Sequence, residues 1–402
     1  MATLFTLEAL EAAFGDSLLL HYGTVAAPRL IIIDGGPSGV YGDRLAPRLK
    51  ELADSRSEGD NLPVQLVVVS HIDSDHVRGI VELTNAAIQA DQNGVPPLVS
   101  INALWHNSFE DTVKPIHAKM AELAVATGVK TAAINNAIPV SIAKKTSRTS
   151  QLVLASVPEG RTLRANARRL NIPLNRGFDG ELIIAGKKPI KKVFDGVLTL
   201  TIVNPRQSEL DALQTEWAKQ IKALKKKGKL KPAAVEAITA EFVDKSVTNL
   251  SSIVLIAESG GKTMLLTGDV RGDYVIESLE AQGLKKKGKT MHFDIIKVPH
   301  HGSWRDLADE FFKELTADHY VFSANGMYSN PDKPSVKSLL TMRKGEAFAV
   351  HLTNRKHYKT GKALPAAAYV EKEHGPKVTI DYADTAAPVP SIKINLATAL
   401  PD

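Results

Sequence analysis

Within six residues the chain places two imidazoles and two carboxylates: His71, Asp73, Asp75 and His76. Such a group is costly to desolvate unless a cation sits among its members. Far along the chain, Asp269 follows Thr267-Gly268, and the pair His300-His301 follows Pro299. A divalent ion held by imidazole and carboxylate lowers the pKa of a coordinated water to near neutrality, supplying a hydroxide that no free side chain generates at that pH. Two ions bridged by a carboxylate also hold a phosphoryl or acyl oxygen. On this reading residues 71 to 76 supply one cluster, Asp269 bridges, and His300 or His301 completes the second ion's set of ligands. The chain has no cysteine, so disulfides, thiolate metal sites and cysteine nucleophiles are excluded and any metal is held by nitrogen and oxygen.

These residues need elements that bring them together. The apolar, β-branched run Val64, Leu66, Val67, Val68, Val69 reads as a buried strand, so the first cluster emerges where that strand ends. Leu18–Tyr22 and Leu30–Ile33 read as paired strands, the second running into the turn Asp34-Gly35-Gly36-Pro37. A helix follows from about Leu45 to Leu52, and another begins near Gly79. Leu98 to Trp105 reads as one strand, with His106 at its end. The second half repeats this order. Strands at Ser252–Ile256 and Thr263–Leu266 lead to Asp269, a helix covers about Val275 to Ala281, and the strand Ile295–Val298 ends in the histidine pair. Two similar layered halves whose loops meet at one site follow from that order. Strands are also expected at Tyr320–Ser323 and Ala347–Val350. The residues after Asp384, with Pro388, Pro390 and Pro401, read as a loosely held tail.

The 402 residues are 44% hydrophobic, enough for a large core, and no run approaches the length needed to cross a bilayer. The N-terminal residues lack the basic start and long apolar stretch of a signal peptide, so the chain reads as cytoplasmic with no membrane partner. The net charge of +6 is unevenly spread: residues 112 to 192 carry about 15 Lys/Arg against about 4 Asp/Glu. That segment, Lys225–Lys229 and Lys285–Lys289 are candidate anion-facing surfaces, with solvated loop lysines as the simpler account. Aromatics make up only 5% of the chain, which weighs against a base-stacking platform.

Taken together, Ser70-His71-x-Asp73-x-Asp75-His76, Thr267-Gly268-Asp269 and Pro299-His300-His301-Gly302-Ser303 resemble the motifs of the metallo-β-lactamase-fold hydrolases. Aspartate at position 73, with Gly15-Asp16-Ser17, Ile33-Asp34-Gly35-Gly36, Asn249-x-x-Ser252, Phe322–Asn325 and Tyr328–Pro331, is similar to the ComEC-type hydrolase domains. The resemblance runs from about residue 4 to about residue 360, apart from segments at about 110–192 and 205–246, which read as helical or basic insertions into a domain spanning residues 1–384.

The resemblance implies an α/β fold, a four-layer αββα sandwich with metals at one edge of its two sheets. It implies two divalent ions, zinc or manganese, and a hydrolase, with phosphodiester bonds of nucleic acid the favoured substrate. A small phosphoester, lactone or thioester is the alternative; a third reading is a non-catalytic module that keeps the metal for stability. The metal set it implies is His71, Asp73, Asp75, His76, Asp269 and one of the 300/301 pair. His301 is taken as the ligand and His300 as the catalytic group facing the scissile bond, alongside Asp75. The superfamily's more usual histidine is Asp73 here, which adds an oxygen donor and favours a harder ion such as Mn²⁺. His106 is the candidate for the separate histidine between the first cluster and Asp269; a structural role beside Trp105 is the other account. Asp34 is read as an acid supporting the site, and Asp16 and Ser17 as turn residues near it.

Overall fold

The computed structural model describes residues 2–56, 61–107, 148–208, 211, 226 and 252–400, with side chains from residue 158 onward in the helix beginning at Arg148. The structure is mixed α/β, with several sheets and, among the described residues, seven α-helices. The strands are β1 (Thr3–Leu10), β2 (Leu18–Thr24), β3 (Ala27–Ile33), β4 (Leu62–Val64), β5 (Leu66–Val69), β6 (Val99–Ile101), β7 (Leu104–His106), β8 (Ile190–Phe194) and β9 (Leu198–Asn204) in the first part of the chain. In the second they are β10 (Val254–Ser259), β11 (Lys262–Leu266), β12 (Met291–Lys297), β13 (Leu315–Phe322), β14 (Phe348–Leu352), β15 (Val378–Tyr382) and β16 (Ser391–Asn395). The helices are α1 (Ala46–Ser55), α2 (Ser74–Gln92), α3 (Arg148–Arg169), α4 (Gly272–Ala281), α5 (Asp309–Glu314), α6 (Lys333–Met342) and α7 (Pro365–Glu373).

One sheet has six strands in the order β16-β1-β2-β3-β5-β7; the other has eight, β15-β14-β13-β12-β11-β10-β9-β8; β4 and β6 pair separately. Alternate residues of both large sheets meet in one apolar cluster: Phe5, Leu20, Ile31 and Val68 from the first, Leu200, Leu255, Leu266 and Ile295 from the second. The other face of the first sheet (Leu19, Ile32, Val67, Val69) packs on Leu49 and Leu52 of α1, Val77 and Ile80 of α2, and Leu163 and Ala167 of α3. The other face of the second (Ile256, Ile296, Tyr320) packs on Val275 and Leu279 of α4, Phe311 of α5, Leu339 of α6 and Val370 of α7. Period-2 apolar strands and 3.6-period helices satisfy these faces simultaneously.

Three sequence expectations change. The stretch from Leu98 to Trp105 is two strands that join different sheets, β6 beside β4 and β7 beside β5, because Asn102 and Ala103 turn the chain between them. The region after Asp384 is not a loose tail. Ile392 and Ile394 alternate with more exposed neighbours and enter the intersheet core, so β16 pairs antiparallel with β1 along Thr6↔Asn395 to Leu10↔Ser391. Lys285 offers no anion-facing charge: its head is buried between Glu280 and Glu314. The basic segment from 112 lies outside the described residues as far as 147. Beyond it, α3 packs along α2, and β8 extends the larger sheet. Lys225 and Lys227–Lys229 also lie outside the described residues.

Candidate metal centre

The candidate site residues collect at the carboxyl ends of parallel strands, β3, β5 and β7 in one sheet and β11, β12 and β13 in the other. Ligand crevices of open α/β sheets form at such ends, because the chain must leave the ladder there and its polar groups need new partners. Asp34 leaves β3, Ser70 and His71 leave β5, and Asp269 and His300-His301 follow β11 and β12. The turns are tied to one another. The Ile253 N–H donates to Ser70 O at 2.8 Å, the His300 N–H to Gly268 O at 3.1 Å, and the Asp16 N–H to Asp75 O at 3.2 Å.

Four imidazoles face one carboxylate. From His71, His300 and His301, Nε2 lies 3.8, 3.7 and 3.3 Å from Asp269 Oδ2, and His76 Nε2 lies 3.3 Å from Asp269 Oδ1. Two rings are hydrogen-bonded at Nδ1, His71 by the Ser70 hydroxyl at 3.0 Å and His76 by Asp34 at 2.8 Å; the other two lie within ion-pair distance of a carboxylate there, His300 of Asp306 at 2.8 Å and His301 of Asp16 at 3.3 Å. Anchoring the outer nitrogen fixes which nitrogen points inward. Asp75 Oδ2 lies 3.5 Å from His301 Nε2, and Asp73 Oδ2 3.6 Å from His71 Nε2.

A divalent ion fits this donor set. His76 Nε2 and His301 Nε2 are 3.3 Å apart, and an ion with nitrogen bonds of about 2.0–2.1 Å in tetrahedral geometry sets two nitrogens at about that spacing. His71 Nε2 and Asp73 Oδ1 are buried without a hydrogen-bond partner among the described residues, an expensive state that a cation relieves. Two groups have ligand atoms close enough to share an ion: Asp16, His76, Asp269 and His301, and His71, Asp75 and His76.

Electrostatics show how strained the group is by itself. Burial raises the Asp269 carboxyl, but His301, His76 and His300 outweigh it and hold the group well below the usual range. Burial lowers His76 and His301, yet Asp269, with Asp34 for the former and Asp16 for the latter, carries both well above an ordinary histidine. Asp75, likewise pushed up by burial, ends below its ordinary value beside His76 and His301.

His106 stands apart. Its ring is buried at the end of β7, both nitrogens lack a hydrogen-bond partner among the described residues, and it belongs to neither shared-ion group. Burial, then the positive charges of Arg164 and His71, lower it to about 3, so it is a neutral donor at any physiological pH. The Asn175 carboxamide fixes its backbone at 2.8 Å, and Gly160 of α3 lies against the ring, where even a Cβ would come within 3.4 Å of Nε2.

Asp16 is more than a turn residue. It is 1% exposed, lies 3.3 Å from His301 and pairs with Lys297, which is wholly buried. Lys297 was legible only as a lone cation inside the run Ile295–Val298. Asp306, which holds His300, gives no sequence signal beyond its place six residues downstream.

No family model matches the chain. ComE operon protein 3 of Bacillus subtilis (strain 168) is 30% identical to it over 112 residues, 27% of this chain and 14% of that protein. That distant similarity and the buried His/Asp group together suggest a metal-dependent hydrolase. Among the described residues, no helix is long and apolar enough to cross a membrane.

Proposed function

We propose that the chain is a two-metal phosphodiesterase acting on nucleic acid, built as a four-layer αββα sandwich of the metallo-β-lactamase type. The observation that carries this reading is the convergence of four imidazoles on the Asp269 carboxylate. His76, Asp269 and His301 would hold one ion and His71 and Asp75 would contribute to a second, with Asp73 beside His71 as a further oxygen donor and His106, outside both groups, as an additional candidate donor. Ions held there supply Lewis acidity and lower the pKa of a coordinated water toward neutrality.

The chain's own groups do the rest. Asp34, Ser70 and Asp16 orient the imidazoles, so little reorganisation is needed when substrate arrives. His300 is the most open of the four rings, with its side chain 28% exposed against 0–3% for His71, His76 and His301. Burial lowers its pKa, but Asp269 and Asp306 raise it above the ordinary value. When protonated, His300 at that open position can donate to the leaving oxygen of a phosphodiester.

The test is metal analysis combined with a cleavage screen of single-stranded DNA, duplex DNA, RNA and bis-p-nitrophenyl phosphate under Mn²⁺, Zn²⁺ and Mg²⁺. Metal uptake with cleavage of at least one phosphodiester is expected. Metal-replete protein that cleaves none of them removes the phosphodiesterase reading, and protein that takes up no metal on reconstitution removes the metal centre.

A further inference from the structure

The low aromatic content argues against a stacking platform, yet the two most exposed aromatic side chains of the described residues sit on one rim of the metal centre. Tyr328 is 46% and Tyr358 53% exposed. Their positions follow from short links outward from the site. The Asp16 N–H donates to Asp75 O, and Gly15 approaches Asp75 so closely that a Cβ there would lie 2.0 Å from the same oxygen. Gly15 O accepts the Ser323 hydroxyl at 2.6 Å, and the preceding residue, Phe14, meets Tyr328 edge-on at 5.7 Å between ring centroids. The Tyr358 N–H donates to Asn325 O at 3.0 Å, three residues before Tyr328, and a Cβ at Gly326 would lie 2.7 Å from the His357 ring. One continuous edge therefore runs from Asp75 through Phe14 and Tyr328 to His357 and Tyr358.

The edge is built rather than loose. Tyr328 and Ser329 occupy the left-handed region at φ 59° and 70°, and Ala13, beside Phe14, at φ 56°. Bulky residues adopt that conformation only where their surroundings enforce it, and such strain gathers at ligand clamps. His357 organises the neighbouring turn: its Nδ1 accepts the Lys359 N–H at 3.1 Å, its N–H donates to Lys362 O at 2.8 Å, and its ring stacks on Tyr358 at 4.9 Å. The same turn exposes Lys356, Lys359 and Lys362, and no acidic residue lies from Arg355 to Val370.

We infer that this rim, Tyr328 and Tyr358 with Lys356, Lys359 and Lys362, binds an unpaired nucleic-acid strand, stacking its bases on the tyrosines while the lysines hold the adjoining phosphates. The inference rests on the phosphodiesterase reading of the centre and narrows its substrate to unpaired segments. Exposed aromatic faces accept any base but only when the base is out of a duplex, whose interior stacks are already filled. Lysines interleaved with aromatics supply the salt-sensitive phosphate contacts that such binding requires.

The experiment is fluorescence anisotropy on metal-loaded protein with phosphorothioate probes, which resist cleavage: a labelled oligothymidylate, an abasic strand of the same length and a blunt duplex. The oligothymidylate is expected to bind roughly 10-fold or more tightly than the abasic strand, and the duplex no better than the abasic strand. Tyr328→Ala with Tyr358→Ala should abolish the advantage of bases without changing abasic binding; Tyr328→Trp with Tyr358→Trp should keep it. Replacing the three lysines by alanine should weaken both single strands and flatten the salt dependence by about 2 in log–log slope. Equal binding of basic and abasic strands, or a base advantage that survives the double alanine variant, overturns the rim. Wild-type hydrolysis of bis-p-nitrophenyl phosphate keeps the two readings separate. Hydrolysis without base-dependent binding removes only the rim, and base-dependent binding by metal-replete protein that cleaves none of the substrates in the screen removes only the phosphodiesterase.

Discussion

Asp34 Oδ2 lies 2.8 Å from His76 Nδ1 and also accepts the Ser70 hydroxyl at 2.6 Å, so one carboxylate aims His76 and, through Ser70, His71. Asp34 itself sits in the left-handed region at φ 59°, where asparagine is tolerated almost as well as aspartate. Asp34→Asn should therefore fold while losing the charge behind both rings. Metal affinity, measured by competition with a chelator, should fall about 10- to 100-fold, with hydrolysis falling in step. Unchanged affinity would show that Asp34 supports only the turn.

The two adjacent histidines differ in setting. His301 is enclosed and backed by the buried Asp16–Lys297 pair, whereas His300 is more open and backed by Asp306. His301→Ala should lower the metal content per chain, measured by elemental analysis. His300→Ala should leave metal content intact and lower kcat by about 10²- to 10⁴-fold, the usual range for removing a proton donor. Loss of metal in the His300 variant would reverse the assignment.

Much of this centre was legible from residue order, for a physical reason. A buried apolar run that stops abruptly in His and Asp has few solutions besides a strand end at a metal, and that signal recurs at Val69–His76 and at Ile295–His301. What was not legible depends on contacts across the sheets. Nothing local to Gly15-Asp16-Ser17 says that Asp16 reaches His301, or that Lys297 becomes its partner. The strand at Ser391–Asn395 was hidden by the prolines before it, because its partner β1 lies at the opposite end of the chain. Tyr328 and Tyr358 look like isolated loop aromatics until the Asn325 turn brings them to one rim.

Asp73 Oδ2 lies 3.6 Å from His71 Nε2 and adds an oxygen donor to that side of the centre. Oxygen donors favour harder ions, and imidazole favours zinc. In Asp73→His, the ratio of Mn²⁺- to Zn²⁺-supported hydrolysis of bis-p-nitrophenyl phosphate should shift toward zinc by roughly an order of magnitude. An unchanged ratio would place Asp73 outside the metal's shell.

Helix α2 presents Asp75 and His76 because its first turn presses against the Asp34–Gly36 turn. The Gly35 N–H donates to His76 O at 2.8 Å and the Gly79 N–H to Gly36 O at 3.0 Å. A Cβ at Gly79 would lie 1.9 Å from Gly35 O, a backbone atom that cannot rotate away. Gly79→Ala should cost on the order of 3 kcal/mol in denaturant unfolding and lower metal affinity by displacing α2. Gly42→Ala, where a Cβ meets nothing within 4 Å, is the matched control and should stay within about 1 kcal/mol of wild type.

Glu8 joins three distant parts of the fold: it accepts from Arg48 of α1 and Ser391 of β16, each at 2.9 Å, and lies 3.0 Å from His21 of β2. Burial raises its pKa, but His21, Arg48 and Ser391 together lower it from 4.5 to about 2. A folded-state pKa below the unfolded value means that the folded chain binds the proton less readily. The stabilisation is therefore fully present above about pH 4.5 and is lost as pH falls toward 2. A shift of that size corresponds to about 3 kcal/mol at neutral pH. Glu8→Gln resembles the protonated acid at all pH values, so the stability gap between wild type and variant, from denaturant midpoints, should be about 3 kcal/mol at pH 7. It should narrow from about pH 4.5 downward and approach zero near pH 2. A gap independent of pH would mean that Glu8 contributes through packing and hydrogen-bond geometry rather than through its charge.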